Sequence, residues 1–243
     1  MIAEPVSIPV SIVVPVYNEA EFIPQALPQL VAAVEESVEG AEIILVENGS
    51  SDGTADIART AAGQPSIVKV LSVPDPDYGA AMRHGFERAQ GDWVINFDID
   101  YFSAAFLHTV LSQPPNIDLV IASKRDPGSE DRRPVIRRVA TLTFNILLRT
   151  ILSSRVSDTH GMKGFRRRLV DDLLPEVVST KDLFDTELVI RAERAGYRIV
   201  EVPVEVIEMR AARSSLIKRV PRTVSGLFRI RRLLDQPDVS TRP

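Results

Sequence analysis

Residues 93–100 read WVINFDID, a largely apolar run that ends in two carboxylates one residue apart. A short segment of aromatic and β-branched residues reads as a buried strand, which sets Asp98-Ile99-Asp100 at its carboxyl end. In extended chain, residues i and i+2 point the same way, so both carboxylates are expected to face one spot. In an open α/β sheet that edge is where ligands bind. Two hard carboxylate oxygens suit Mg²⁺ or Mn²⁺, which in turn neutralises a diphosphate. An isolated D-x-D is common in solvated loops, so the flanking sequence has to decide.

On the amino-terminal side the pattern repeats. Apolar runs at residues 11–16, 42–46 and 67–73 predict strands, and residues 20–38, 55–62 and 80–90 predict helices between them. Such alternation argues for an α/β fold: a three-layer α/β/α sandwich with a mostly parallel central sheet. Beyond Asp98, residues 119–122 read as a strand, 136–152 as an amphipathic helix, 185–195 as a helix stopped by Gly196, and 198–206 as a strand. The last stretch, 214–234, reads as a helix broken at Pro221. With no internal repeat or low-complexity linker, one domain over residues 1–213 is expected, followed by a basic amphipathic tail over 214–243.

Composition excludes several chemistries. The 243 residues include no cysteine and only three histidines. Disulfide frameworks, thiolate metal sites and cysteine nucleophiles therefore drop out. The start lacks the basic region of a signal peptide, and no run of about 20 apolar residues is present to span a bilayer. Net charge is −4, yet residues 209–234 contain no acid and hold Arg210, Arg213, Lys218, Arg219, Arg222, Arg229, Arg231 and Arg232. A basic tail on an acidic body predicts an anionic partner, either phosphate groups or a membrane surface. The tail has no interleaved aromatic pattern, which argues against nucleic acid.

Two further polar clusters end strands. Glu47 and Asn48, in VENGSSDGT, can accept from the N–H edge of a nucleobase; Asp52 and Thr54 read as turn and cap residues. In PVYNE, Tyr17 offers a ring for stacking, and Asn18 or Glu19 a bond to a ribose or amide. Three strands with polar clusters at one edge describe a nucleotide pocket. The chain has neither G-x-G-x-x-G nor G-x-x-x-x-G-K-[ST], so the diphosphate is expected to be held by metal and cationic side chains.

Taken in order, PVYNE, VENGSSDGT, YGAAMRHGFERAQGDWVINFDID, ASKR, DTHGMKGFRR and FDTELVIRAERAGYRIVEVPVEV resemble the motifs of family 2 glycosyltransferases, in particular the branch that uses polyprenyl phosphates. The resemblance runs over roughly residues 9–216. It implies the GT-A fold and an inverting transfer of a hexose from a nucleotide-diphosphate sugar, of the GDP-mannose or UDP-glucose type, with Mg²⁺ or Mn²⁺. Carried over by matching motif, Pro15, Tyr17 and Glu19 contact the donor, and Val46, Glu47 and Asn48 line its base. Asp98 and Asp100 hold diphosphate or ribose and the metal. Arg125 reaches the phosphates, Arg210 and Ser215 belong to a loop closing over the donor, and Arg133 receives the acceptor phosphate. Residues 136–152 and the tail each set an apolar face beside arginines, as helices that bind anionic membranes or lipids do. With the resemblance this predicts a lipid phosphate acceptor and a peripheral position on the cytoplasmic face of a membrane, while a soluble or glycan acceptor, or a sugar nucleotidyltransferase of the same architecture, stays open. The chain departs from the family pattern at Glu47-Asn48, where two aspartates are common, at Phe102 in place of a polar residue, at Leu216 in place of lysine, and at Arg137 in place of serine.

Other residues keep two readings. Asp158 and His160 either line the acceptor site or close a loop. Asp185 or Glu187 stands where relatives place a base, while Glu187 also suits an ion pair with Lys163 or an arginine. Arg83 and His84 read as helix surface, and Lys163 and Arg166 to Arg168 as a solvated face or part of a basic rim.

Overall fold

The computed structural model describes residues 8–63, 67–123, 128–131, 135–206 and 216–235. The element order is β1 (Val10–Val16), α1 (Ile23–Ser37), β2 (Glu42–Asn48), α2 (Thr54–Ala62), β3 (Val68–Val73), α3 (Tyr78–Arg88), β4 (Trp93–Asn96), α4 (Ala104–Leu111), β5 (Leu119–Ser123), β6 (Glu130–Asp131), α5 (Val135–Leu152), β7 (Lys163–Arg166), α6 (Arg167–Leu173), α7 (Phe184–Arg194), β8 (Ile199–Pro203), β9 (Glu205–Val206) and α8 (Leu216–Leu234). Short 3-10 turns lie at Leu174–Glu176 and Lys181–Leu183.

Seven strands form one sheet in the order β3-β2-β1-β4-β7-β5-β8, and β6 pairs with β9 separately. Every neighbour pair in the large sheet is parallel except those made by β7, which runs antiparallel to both β4 and β5. The central strands are buried on both faces, which is why VSIVVPV and EIILVEN read as near-continuous apolar runs. Side chains still alternate. Val10, Ile12, Val14, Ile43, Leu45, Ile95 and Phe97 pack with α1, α2 and α4 residues, and Val13, Ile44, Val46 and Val94 pack with α3, α6 and α7. The expected three layers and mostly parallel sheet are present.

The lower, amino-terminal edge of the sheet is tied by a buried polar hub. Ser11 Oγ donates to Glu42 Oε1 at 2.5 Å and accepts from the Gln90 and Gly91 N–H groups at 2.9 and 2.7 Å. Lys69 Nζ reaches Glu42 Oε2 at 2.6 Å. Burial by itself pushes the Glu42 carboxyl up, but the donors Lys69, Ser11 and the Gln90 N–H outweigh it and hold the group below its ordinary value.

Four expectations need correction. The first helix begins at Ile23 rather than Ala20, with Pro24 in its opening turn, where a missing N–H costs nothing. Residues 198–206 form two strands, split after Pro203. The tail helix α8 runs through Pro221 without a break. Finally, α4, β7 and α6 were not expected at all. A third apolar cluster explains where the outer helices go: Leu148, Ile151 and Leu152 of α5 meet Leu183, Ile190 of α7, and Leu227 and Ile230 of α8.

Candidate active site

The crevice follows from strand order. From β1 the chain proceeds outward to β2 and β3, then returns to place β4 on the other side of β1, so the loops after β1 and β4 diverge. Such a switch point opens a cleft at the carboxyl edge. Pro15, Val16 and Tyr17 end β1 there, Val46, Glu47 and Asn48 end β2, and Asp98 to Asp100 follow β4.

Beyond Val16, Tyr17 is 45% exposed and Asn18 adopts a left-handed conformation with φ 52°, which asparagine tolerates better than most residues. That turn latches two loops together. Asn18 Oδ1 accepts from Ser51 N–H at 2.9 Å, Asn18 N–H donates to Ser50 Oγ at 3.0 Å, and Glu19 N–H donates to Thr54 Oγ1 at 2.8 Å. Asp52 accepts from Thr54 N–H at 3.0 Å and Ala20 N–H at 3.2 Å, the turn-and-cap role expected of it. Glu19 itself is buried.

The β2 end is equally fastened. Val46 is in the core, the Glu47 carboxylate accepts from Ser50 N–H, and Asn48 Oδ1 accepts from Asp77 N–H at 2.7 Å. Asp77 in turn caps α3 through Ala80 N–H at 3.0 Å and holds Lys181 N–H at 2.8 Å. Glu47 and Asn48 thus shape the loops around the crevice through backbone bonds. Gly49 is required in that loop: its φ is 63°, and a Cβ would lie 2.8 Å from Pro74 and Asp75 backbone atoms.

After β4 the chain does not stay extended. Asp98 N–H donates to Tyr101 O at 3.2 Å and Tyr101 N–H to Asp98 O at 3.0 Å, closing a four-residue turn. The extended-chain argument for the two aspartates is therefore replaced by a turn anchored on buried Ile99, with Asp98 exposed and Asp100 half-buried on either side of it. Phe102 packs 6.5 Å from Phe97 and, with Asp100, Tyr101, Phe106, Val202 and Val204, lines a hollow of about 540 Å³. Its departure from a polar residue is thereby given a packing role. Two carboxylates on one turn would suit a hard divalent cation, which would supply positive charge against a diphosphate. Among the described residues no third acid, histidine or cysteine joins them in a cluster.

Beneath the crevice lies a buried polar group that the sequence did not reveal as such. Lys163 is 0% exposed, which corrects its reading as solvated. Its Nζ donates to Gly161 O at 2.7 Å and reaches Asp185 Oδ2 at 3.3 Å, and Tyr78 OH donates to the same carboxylate oxygen at 2.8 Å. Asn96, at the end of β4, donates to Gly161 O at 3.1 Å. Glu187 does not meet Lys163. It is also fully buried and accepts from Val178 and Ser179 N–H groups and from Arg191 Nε at 2.9 Å. Asp158 is buried and closes its loop by accepting from His160 N–H at 2.8 Å, while the exposed His160 ring meets Phe144 of α5 edge-on at 4.7 Å.

The other basic residues sort differently from expectation. Arg83 is not free helix surface, since it donates to the carbonyls of Leu174 and Val177. Arg166 stacks over Trp93 at 4.0 Å, opposite the first residue of β4, and so sits at the edge of the sheet remote from the crevice. Arg168 pairs with Asp118 at 2.6 Å. Arg125, Arg133, Arg210 and Ser215 lie outside the described residues, as does the side chain of Arg137.

Comparison with known proteins agrees with this architecture. The sequence model described as "Glycosyl transferase family 2" matches residues 11–174. The undecaprenyl-phosphate mannosyltransferase of Micrococcus luteus is 31% identical, over 84% of this chain and 86% of that protein. Glycosyltransferase AglD of Haloferax volcanii is also 31% identical, over 81% of this chain but 32% of its own length, so the chain spans about a third of that relative. Among solved structures, the glucosyl-3-phosphoglycerate synthase of Mycobacterium tuberculosis, in complex with Mn²⁺, uridine diphosphate and phosphoglyceric acid, superposes with a TM-score of 0.68 at 21% identity, over 95% of this chain and 80% of that one. That likeness establishes the fold, which is GT-A.

Proposed function

The chain belongs to glycosyl transferase family 2, and from that premise we propose that it transfers a hexose from a nucleotide-diphosphate sugar, of the GDP-mannose or UDP-glucose type, to a polyprenyl phosphate at a membrane surface. The observation that carries the reading is the Asp98-Ile99-Asp100 turn at the switch point of the sheet, beside the latched loops that end β1 and β2. The undecaprenyl-phosphate mannosyltransferase of Micrococcus luteus supports the acceptor class.

In this reading Tyr17, Glu47 and Asn48 border the base, and Asp98 and Asp100 hold Mg²⁺ or Mn²⁺ at the diphosphate. A bound cation supplies charge neutralisation for the departing nucleoside diphosphate, a contribution of several kcal/mol. Arg125 and Arg210 add positive charge to that side, and Arg133, Arg137, Asp158 and Ser215 are assigned to the acceptor. Inversion needs one displacement at the anomeric carbon. A phosphate monoester, with its second ionisation near pH 6, already carries its negative charge near pH 7, so no strong base is required to activate it. Accordingly Asp185 and Glu187, both buried and bonded, serve as structure. A soluble or glycan hydroxyl acceptor would need a base, and the engagement of both carboxylates weighs against it.

Membrane contact rests on the cationic outer surface of α8, where Arg222, Arg229, Arg231 and Arg232 are exposed and no acid occurs between Leu216 and Leu234. No helix among the described residues is long and apolar enough to cross a membrane. We assign the protein to the cytoplasmic face as a peripheral enzyme. The test is transfer from labelled nucleotide sugars to a short polyprenyl phosphate, with Mg²⁺ or Mn²⁺ and with chelator. Metal-dependent label in the lipid is expected. Donor hydrolysis with unlabelled lipid overturns the acceptor assignment, and transfer undiminished by chelator overturns the metal assignment.

A further inference from the structure

Two side chains converge on one main-chain carbonyl beneath the crevice. Asn96, the last residue of β4, is the register partner of Lys163, the first residue of β7. Partners across an antiparallel pair share a face of the sheet, and both side chains reach Gly161 O, Asn96 Nδ2 at 3.1 Å and Lys163 Nζ at 2.7 Å. Neither residue is an economical filling for an interior. Lys163 is fully buried, where an apolar side chain of its length would leave no charge to desolvate. Asn96 is 4% exposed, and its Oδ1 accepts no hydrogen bond among the described residues. What the two have in common is the Gly161 carbonyl.

Gly161 ends the loop that carries Asp158, Thr159 and His160. Its φ is 102°, a conformation that suits glycine. The β4 ladder begins only at Lys163, so the loop stands beyond the last strand pairing. Other ties of this segment run to other elements: Ser157 N–H donates to Glu201 of β8 at 2.6 Å, and the hydroxyls of Thr159 and Thr186 of α7 are 3.0 Å apart. The Gly161 carbonyl joins the loop to β4, two residues short of Asp98.

We infer that Asn96 and Lys163 are positioning residues that set the Asp158–His160 loop, on the acceptor side, against the Asp98–Asp100 turn on the donor side. Asp185 holds the Lys163 ammonium in place, and Tyr78 holds Asp185. This rests on the transferase function proposed above and identifies what aligns its two halves. A misplacement of about 1 Å between reacting groups costs a displacement roughly a hundredfold. Water needs no positioned acceptor, and its attack on the anomeric carbon releases hexose and nucleoside diphosphate as before.

Asn96→Ala removes one bond to Gly161 O. Lys163→Met/Asp185→Asn removes the other without leaving a buried charge unpaired. In both variants, kcat for transfer of labelled hexose to a short polyprenyl phosphate is expected to fall at least about tenfold, while donor hydrolysis without acceptor and the Kd for nucleoside diphosphate with Mn²⁺ stay within about twofold. Hydrogen exchange in residues 157–162 is expected to quicken in both. A merely structural role lowers transfer and hydrolysis together. Hydrolysis falling in step with transfer, transfer that returns to the parent level along with Tm in the double variant, or parent-like exchange in the loop each overturns the inference. A parent that hydrolyses donor and labels no polyprenyl phosphate sinks the acceptor reading instead, and loop exchange then decides whether the two side chains hold the loop.

Discussion

Single residues at the crevice divide into those that face the ligand side and those that hold the loops. Asp98→Asn and Asp100→Asn remove charge from the turn without removing its backbone bonds. In the proposed metal-binding role, each is expected to lower kcat by about a hundredfold or more, with unchanged circular dichroism. Gly49→Ala brings a methyl group against the Pro74–Asp75 backbone. It is expected to cost about 1–3 kcal/mol in urea unfolding. Glu42 gives a pH-dependent test. Its carboxyl is held below the ordinary 4.5 in the folded protein, so it contributes stability above that value and loses the contribution as the pH falls through the lowered one. Glu42→Gln is therefore expected to be less stable than the parent by about 1–2 kcal/mol at pH 7, with the gap shrinking as the pH falls below 4.5. At this scale the sequence placed Asp98 just after a buried strand but gave no sign of the turn that Asp98 and Tyr101 close. It failed at Lys163, because a lysine in a tetrapeptide with glycine carries no mark of burial; only the Asp185 and Gly161 partners brought in by distant chain make its interior position tolerable.

Among the elements, α7 shows how a helix can carry two acids in its first turn and bond both of them into the fold. Asp185 and Glu187 are both in its first turn, yet each is turned into the fold by bonds to Tyr78, Lys163, Arg191 and the Val178–Ser179 backbone. Removing one partner of a buried pair strands the other. Lys163→Met is expected to cost about 3 kcal/mol or more, and adding Asp185→Asn, which still accepts from Tyr78, to recover much of it. Chemical denaturation of the two variants and the parent checks this, and additive losses would mean that the pair is not coupled. Long periodic elements were legible, including β1, β2, α3 and α5. The four-residue β7 and the eight-residue α4 were not: β7 pairs on both sides and gains its strand character from β4 and β5, and α4 has only His108 and Thr109 as polar residues opposite buried Phe106, Leu107 and Val110, over too short a run to show a helical period.

At the scale of the whole molecule, the tail is part of the body. Leu227 and Ile230 of α8 complete the third core cluster, so truncation at Pro221 uncovers Leu148, Leu183 and Ile190 as well as removing charge. Arg222→Gln/Arg229→Gln/Arg232→Gln leaves that packing intact. It is expected to keep the parent Tm within about 2 °C and to lose binding to anionic vesicles in low salt; retained binding would take α8 out of the membrane contact. The sequence showed the asymmetry of charge and the amphipathic pattern, but not that one face of α8 was already committed to α5 and α7. Amphipathicity specifies that a face is buried, not which surface buries it.

The reversed strand β7 has one more consequence. Chain up to α4 builds one flank of the crevice, around β1, β2 and β4, and chain from β5 onward builds the other, with β7 threaded between β4 and β5 as the seam. The short turn between α4 and β5 is thus a natural point of recombination. Joining the first segment of one relative to the second of another would exchange whatever each flank recognises, provided that the β4–β7 register survives. Such a chimera must also keep the core that the two segments share, in which Val13, Ile44 and Val46 pack with residues of α6 and α7.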